Sequence, residues 1–415
     1  MKEVLFQKIE AQKERLWEMA DFIFDHPEYE GKEYQAVDLL TGYLEQNGFQ
    51  VERGIAGYET AFRAVYENGT GGPSIGILCE YDALKGMGHA CGHHMQGPAC
   101  LGAAVALKEL AGETPFKLTV YGTPAEETLG AKCDMVKKGC FLELDAAFMM
   151  HGSPTTCTDV KCLADRSFEV VFHGKGAHAA LAPEKGKSAL DGLLTAFNGI
   201  EFLREHVPDG VRIHYSYLSA GEKPNVVPDF AEVWYFVRSN RRRIVDQVTE
   251  RLIQVARGAA MMSGTEVEWE FLARGNSTRI NTTLAELAYG CMRRVPLPRW
   301  EEPELQLAAG LGESLGLPGT ICGELTPPEG RELAGSGSTD FSAVSQTVPS
   351  VEINTVCFTR GTPGHHWAVT AQSCSSIGRK GMLYAAGVLA EMGKALLEDP
   401  GLLSRAREEY LARAE

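Results

Sequence analysis

The sequence predicts an α/β fold with a mixed, mostly parallel sheet, interrupted by a smaller ferredoxin-like α+β domain. Three observations carry this. Short apolar runs alternate with helical patterns early in the chain. Near Lys161 the rhythm changes to a β-α-β-β-α-β order. The alternating α/β character then resumes near Asn281.

Two amphipathic helical patterns open the chain, at 4–24 and 33–47. Strands follow at 74–79, 117–121 and 146–150, each a compact apolar run. A helix rich in alanine and leucine lies between the first two, at 97–110. In the middle segment the pattern gives strands at 166–173, 211–219, 229–238 and 266–273, with helices at 188–206 and 242–262. A strand at 350–354 and a last helix at 375–397 complete the larger domain. The expected division is a discontinuous larger domain, 1–162 and 277–415, around a smaller inserted one at 163–276.

A chain of 415 residues is too long for one hydrophobic core and suits two domains. The net charge of −15 argues against nucleic-acid and anionic-membrane partners. The 11 cysteines are odd in number and lack framework spacing, which points to a reducing cytosol rather than a disulfide scaffold. The first residues, Met1 to Glu10, mix charges into an amphipathic pattern unlike a signal peptide. No run of about eighteen apolar residues marks a membrane span.

The densest chemical signal is Gly88-His89-Ala90-Cys91-Gly92-His93-His94. Thiolate and imidazole on one turn can face one cavity, and a following helix N-terminus would lower the thiol pKa. Cys91 alone would fit a buried free thiol equally well. Glu126 and Glu127 follow a strand end, where one carboxylate could bind metal and the other act as general base. In isolation they read as a solvated acidic turn. His151 also sits at a strand exit, and His365-His366 lies in a turn-rich loop. Open α/β sheets place their sites at such strand exits. Together these groups suffice for two metal ions of the zinc or manganese type.

At this point the chain resembles the M20 family of metallopeptidases and amidohydrolases, in its aminoacylase-like branch. The carrying motifs are Glu80-Tyr81-Asp82-Ala83-Leu84, the Gly88 to His93 element, Pro124-Ala125-Glu126-Glu127 and Gly174-Lys175-Gly176-Ala177-His178-Ala179. Asn225-Val226-Val227-Pro228, Gly337-Ser338-Thr339-Asp340-Phe341 and Gly361-Thr362-Pro363-Gly364-His365 complete the set.

The resemblance implies a two-metal hydrolase of C–N bonds with a dimerising lid. Cys91 would bridge the metals, and His93, Glu127, His151 and His365 would complete the ligands. Asp82 would orient a ligand and Glu126 would be the general base. His178 would stabilise the oxyanion in the partner subunit's site. Asn225 and Arg238 would hold the polar end of a small-molecule substrate. His94 stands where an aspartate or asparagine is usual, either as an added donor behind a ligand or as a substrate contact. Lys85 and Met87 replace a more usual Pro-Gly-rich loop. The implied cofactors are two divalent ions per chain, Mn²⁺ or Zn²⁺, with Co²⁺ or Ni²⁺ as alternatives.

The expected reaction is hydrolysis of an N-acyl or N-aroyl amino acid or a dipeptide. Three other readings stay open. The same metals could remove an amine from an activated aromatic ring. Cys91 could act as a metal-free nucleophile. The chain could also bind a small ligand without catalysis.

Overall fold

A computed structural model describes residues 2–328 and 337–412. Those residues form two compact units. One takes the described residues within Met1–Val160, Arg279–Glu332 and Ala343–Glu415; the other takes those within Lys161–Thr278 and Leu333–Ser342.

In the larger unit six strands form one sheet, in the order Gln50–Arg53, Phe62–Asn68, Phe116–Gly122, Ser74–Cys79, Ala146–Ser153, Ser350–Val356. The last four pair in parallel, while Gln50–Arg53 and Phe62–Asn68 form an antiparallel edge. The parallel strands are almost wholly buried, as expected for a sheet with helices on its faces. Helices Lys2–Asp25, Gln96–Leu110 and Ser376–Glu398 pack together over it, burying Leu16, Leu107 and Leu389 with Ile77, Val120 and Phe148. Helix starts are set by side-chain caps: Asn281 accepts from the Leu284 amide and Ser375 from the Ile377 amide.

Two elements of this unit differ from the sequence expectation. The sheet is mixed as expected, but its antiparallel pair Gln50–Arg53 and Phe62–Asn68 is not among the expected strands, because Phe62–Asn68 buries only Phe62 and Ala64 and its charged residues blur the alternation. The helix Ser376–Glu398 is not the last, since Pro400–Ala412 follows it. Pro400 suits a first helical position, where no amide donor is needed.

The smaller unit is a four-stranded antiparallel sheet in the order Glu266–Gly275, Ala164–His173, Phe230–Ser239, Arg212–Ser219. Helices Ala189–Arg204 and Arg242–Ser263 pack on it, enclosing Phe168, Phe172, Val233, Val237, Leu193 and Leu252. Chain order and pairing are those of a ferredoxin-like split β-α-β. A short two-stranded pair, Ala177–His178 with Val226–Val227, stands apart from the main sheet. Gly337 joins this unit through a bridge to Cys162, and its carbonyl accepts from the Leu163 amide at 3.0 Å. No helix among the described residues is long and apolar enough to cross a membrane.

Candidate metal centre

The parallel strands of the larger unit deliver their chemistry just beyond their C-terminal ends. Glu80 and Asp82 follow Ser74–Cys79, Glu126 and Glu127 follow Phe116–Gly122, and His151 lies near the end of Ala146–Ser153. The Cys91–His93 turn precedes helix Gln96–Leu110. Gly92 between Cys91 and His93 has φ +83°, and a Cβ there would meet Met95 Cε and Phe358 Cζ at 2.9 Å. Only glycine fits this turn without displacing that packing.

Three sets of donor atoms converge, each within 4.8 Å of one another: Cys91, His93 and His151; Cys91, Glu127 and His365; and His93, Glu126 and Glu127. Cys91 Sγ lies 3.4 Å from His151 Nε2. Glu127 Oε1 lies 3.1 Å from His365 Nε2 and 4.0 Å from His93 Nε2.

Asp82 organises two of these groups. Its Oδ1 is 3.0 Å from His93 Nδ1, and its Oδ2 accepts from the Glu127 amide at 3.0 Å. His151 Nδ1 lies 2.7 Å from the Gly152 carbonyl. Both imidazoles thus have an oxygen acceptor at Nδ1, which assigns the proton there and turns Nε2 into the cluster with its lone pair. Acceptors of this kind behind a histidine are the usual orienting partners of a metal ligand.

The electrostatics fit a cation. His93 Nε2 and Glu127 Oε1 are buried without a hydrogen-bond partner. The close approach of Glu127 to His365 therefore lacks hydrogen-bond alignment, as when two ligands flank a common point. Burial opposes charge on His93, yet Cys91, Glu80 and Asp82 together raise its pKa well above the ordinary value. Burial lowers that of His151, which favours the neutral ligand form. Glu127 is held below the usual carboxylate range despite burial, through His365 and His93. His365 is raised, chiefly by Glu127. The donor set and its orphaned inward-facing atoms match a site for divalent cations.

One expectation is corrected here. Burial pushes the Cys91 thiol up to about 12 rather than down, with His93 pulling the other way. A 3₁₀ turn, His93–Met95, separates Cys91 from helix Gln96–Leu110, so the helix N-terminus does not act on it directly. A divalent ion at the sulfur would supply the missing stabilisation of a thiolate.

Ala125 and His365 both have φ +52°. Such strain costs of order 1–3 kcal/mol per residue and concentrates at functional sites.

The remaining candidates fall in several places. His366 caps helix Trp367–Ser373, its Nδ1 accepting from the Ala368 amide at 3.2 Å, whereas His365 approaches Glu127. His94 is buried, with its ring against Phe24 and His89, and burial keeps it neutral. His89 binds the Ile23 carbonyl at 3.0 Å through Nε2. Of the three histidines in the opening motif, only His93 enters a donor set.

In the smaller unit, His178 is exposed on the two-stranded pair, and the Asn225 carbonyl accepts from the Ala179 amide at 3.0 Å. Arg238 lies on strand Phe230–Ser239, stacks on Phe236 at 4.5 Å and has a buried Nε without a partner.

The peptidase dimerisation domain of the M20 family matches residues 166–261. One of the subunits of p-aminobenzoyl-glutamate hydrolase from Escherichia coli is 33% identical, across 97% of this chain and 93% of that protein. The chain belongs to the M20 family. As a member it is a metallohydrolase acting on C–N bonds. A mouse Xaa-Arg dipeptidase is 30% identical over 99% of the chain and 92% of its own length. A dinuclear metal-binding M20 peptidase of Bacillus subtilis shares the fold, with TM-score 0.68 and 20% identity, across 94% of this chain and 99% of that one.

Sequence reasoning about this M20 chain gives no role to Glu80, Gln96 or Lys132. All three are buried, and they form one hydrogen-bonded group beside His93. The available signal is spacing. Lys132 lies one turn from buried Met135 on helix Ala131–Lys137, so it shares an inward face.

Proposed function

We propose that this chain hydrolyses the amide bond of an N-acyl or N-aroyl amino acid or of a dipeptide. The observation that carries the reading is the convergence of Cys91, His93, Glu127, His151 and His365, with Glu126 beside His93 and Glu127. The names of the similar hydrolase and dipeptidase support the substrate class.

Cys91, His93, Glu127, His151 and His365 would hold two divalent ions, Mn²⁺ or Zn²⁺. Such a pair, when bound, would supply Lewis acidity and lower the pKa of the attacking water. Asp82 fixes the His93 tautomer and tethers the Glu127 backbone. Glu126 takes the proton of the attacking water and passes it to the leaving nitrogen. His178 acts in the partner subunit's site, where it donates to the carbonyl oxygen as its charge grows. Asn225 and Arg238 hold the substrate's polar end. The enzyme works as a homodimer formed through the smaller unit, a reading supported by the dimerisation-domain match, and in the cytosol, a reading supported by its 11 cysteines without framework spacing.

Mass-spectrometric product detection on N-acyl amino acids, aroyl-glutamates, dipeptides and amino-aromatics, with added Mn²⁺ or Zn²⁺ and again with chelator, tests this. Amide cleavage abolished by chelator is the expected result. Ammonia release from an aromatic amine would move the reaction class. Cleavage indifferent to chelator would remove the metal mechanism.

A further inference from the structure

We propose that Lys132 is a positioning residue for the metal centre. By pairing with Glu80 it ties the turn bearing Glu126 and Glu127 to the strand end bearing Asp82 and to the His93 turn. The inference rests on reading the cluster as a site for two divalent ions.

Lys132 is 0% exposed and Glu80 1%. Lys132 Nζ donates to Glu80 Oε1 at 2.5 Å. The other oxygen, Oε2, accepts from Gln96 Nε2 at 2.6 Å and lies 3.3 Å from His93 Nε2. Gln96 closes the loop by accepting from the Glu80 amide at 3.1 Å. One carboxylate therefore joins three segments: the end of strand Ser74–Cys79, the start of helix Gln96–Leu110 and the short helix Ala131–Lys137.

The link to the acidic turn is equally short. The Ala125 carbonyl accepts from the Leu129 amide at 3.0 Å and the Gly130 amide at 2.9 Å. Gly130 then enters helix Ala131–Lys137 at φ +61°. From Ala125 to Gly130 the backbone is closed on itself, and Lys132 follows two residues later, so anchoring Lys132 restrains the turn that bears both carboxylates. Carboxylate oxygens of Glu80 and Glu126 also come within 4.8 Å. An ammonium on Glu80 limits the repulsion that would drive this turn away from the site.

A buried ion pair is a costly way to fill space, and an apolar pair of equal volume commonly serves stability as well or better. Charged groups fixed by several hydrogen bonds are better suited to orientation. Lys137, on the same helix, is exposed and pairs only locally with Asp134 at 2.7 Å. It supplies the control.

The test compares the wild type, Lys132→Met, Lys137→Met and the double variant Lys132→Met with Glu80→Gln. Each is stripped of metal and titrated with Co²⁺ or Zn²⁺. Affinity, stoichiometry and the visible Co²⁺ spectrum are read alongside unfolding of the metal-free protein. The expected result is a ~10- to 100-fold weaker affinity and a changed Co²⁺ spectrum in Lys132→Met. Lys137→Met should match the wild type. The double variant removes both buried charges and so guards against simple misfolding. It should fold and still bind weakly. Wild-type affinity and spectrum in either Lys132 variant would overturn the proposal. Failure of the wild type itself to bind metal would overturn the two-ion reading instead.

Discussion

The two units hold most of their candidate residues in different ways. In the larger unit, Asp82 and His93 are buried and Asp82 hydrogen-bonds both the His93 ring and the Glu127 amide, while His365 is half exposed at the rim of the cluster. In the smaller unit, His178 and Asn225 are exposed on a two-stranded excursion. Both units lay helices over a sheet, so the difference lies in what each asks of its residues. A metal site needs its donors preorganised before the ion arrives, because buried lone pairs and charges are costly to leave loose. A group that meets a substrate must be reachable from solvent.

The sharpest way to break this comparison is at the centre of the larger unit. Glu126→Gln should retain fold and metal content yet lose about 100-fold or more of kcat, the range for a general base. Near-normal turnover in steady-state assays of metal-loaded variant would end the role of Glu126. On the other side, His178→Ala should lower kcat by ~100-fold while metal content, measured by elemental analysis, stays unchanged. Loss of metal there would show that the two units do not divide the labour as described.

A smaller effect concerns pH. His365 is raised from 6.5, so its contribution to stability is fully present below 6.5 and is lost as pH climbs through the raised value. Glu127 is lowered from 4.5, so its contribution is present above 4.5 and is lost as pH falls through the lowered value. The metal-free protein should therefore be most stable between those two limits. His365→Asn should flatten the alkaline limb of its thermal midpoint against pH. An alkaline limb unchanged by that substitution would show that the pair is not formed in solution. The smallest effect is expected at His94, enclosed by Phe24 and His89. His94→Leu should leave KM unchanged, and a large rise in KM would instead make it a substrate contact.

The contrast also explains what can be read from the sequence. Parallel strands such as Ser74–Cys79 announce themselves because burial on both faces demands unbroken apolar runs. Cys91, His93, Glu127, His151 and His365 stand out as candidates because each lies at or beyond a strand end or in a glycine-rich turn, but their individual roles come from the resemblance to the M20 family and not from position. The antiparallel strand Phe62–Asn68 escapes notice because only one end of it is buried. Lys132 escapes it for a different reason. A lysine in a short helix ordinarily reads as solvated, and nothing local reveals a carboxylate that a distant strand brings to it. Likewise, lowering the Cys91 pKa with a helix terminus overlooks how strongly burial opposes a thiolate.

The central claim is that the larger unit gathers its donors around two divalent ions. Anomalous diffraction from crystals soaked in Zn²⁺ or Co²⁺ tests it most directly. Two peaks per chain are expected, roughly 3.5–4 Å apart as in two-metal hydrolases, among Cys91, His93, Glu127, His151 and His365. Ions bound elsewhere, or an empty cluster in protein saturated with metal, would contradict it.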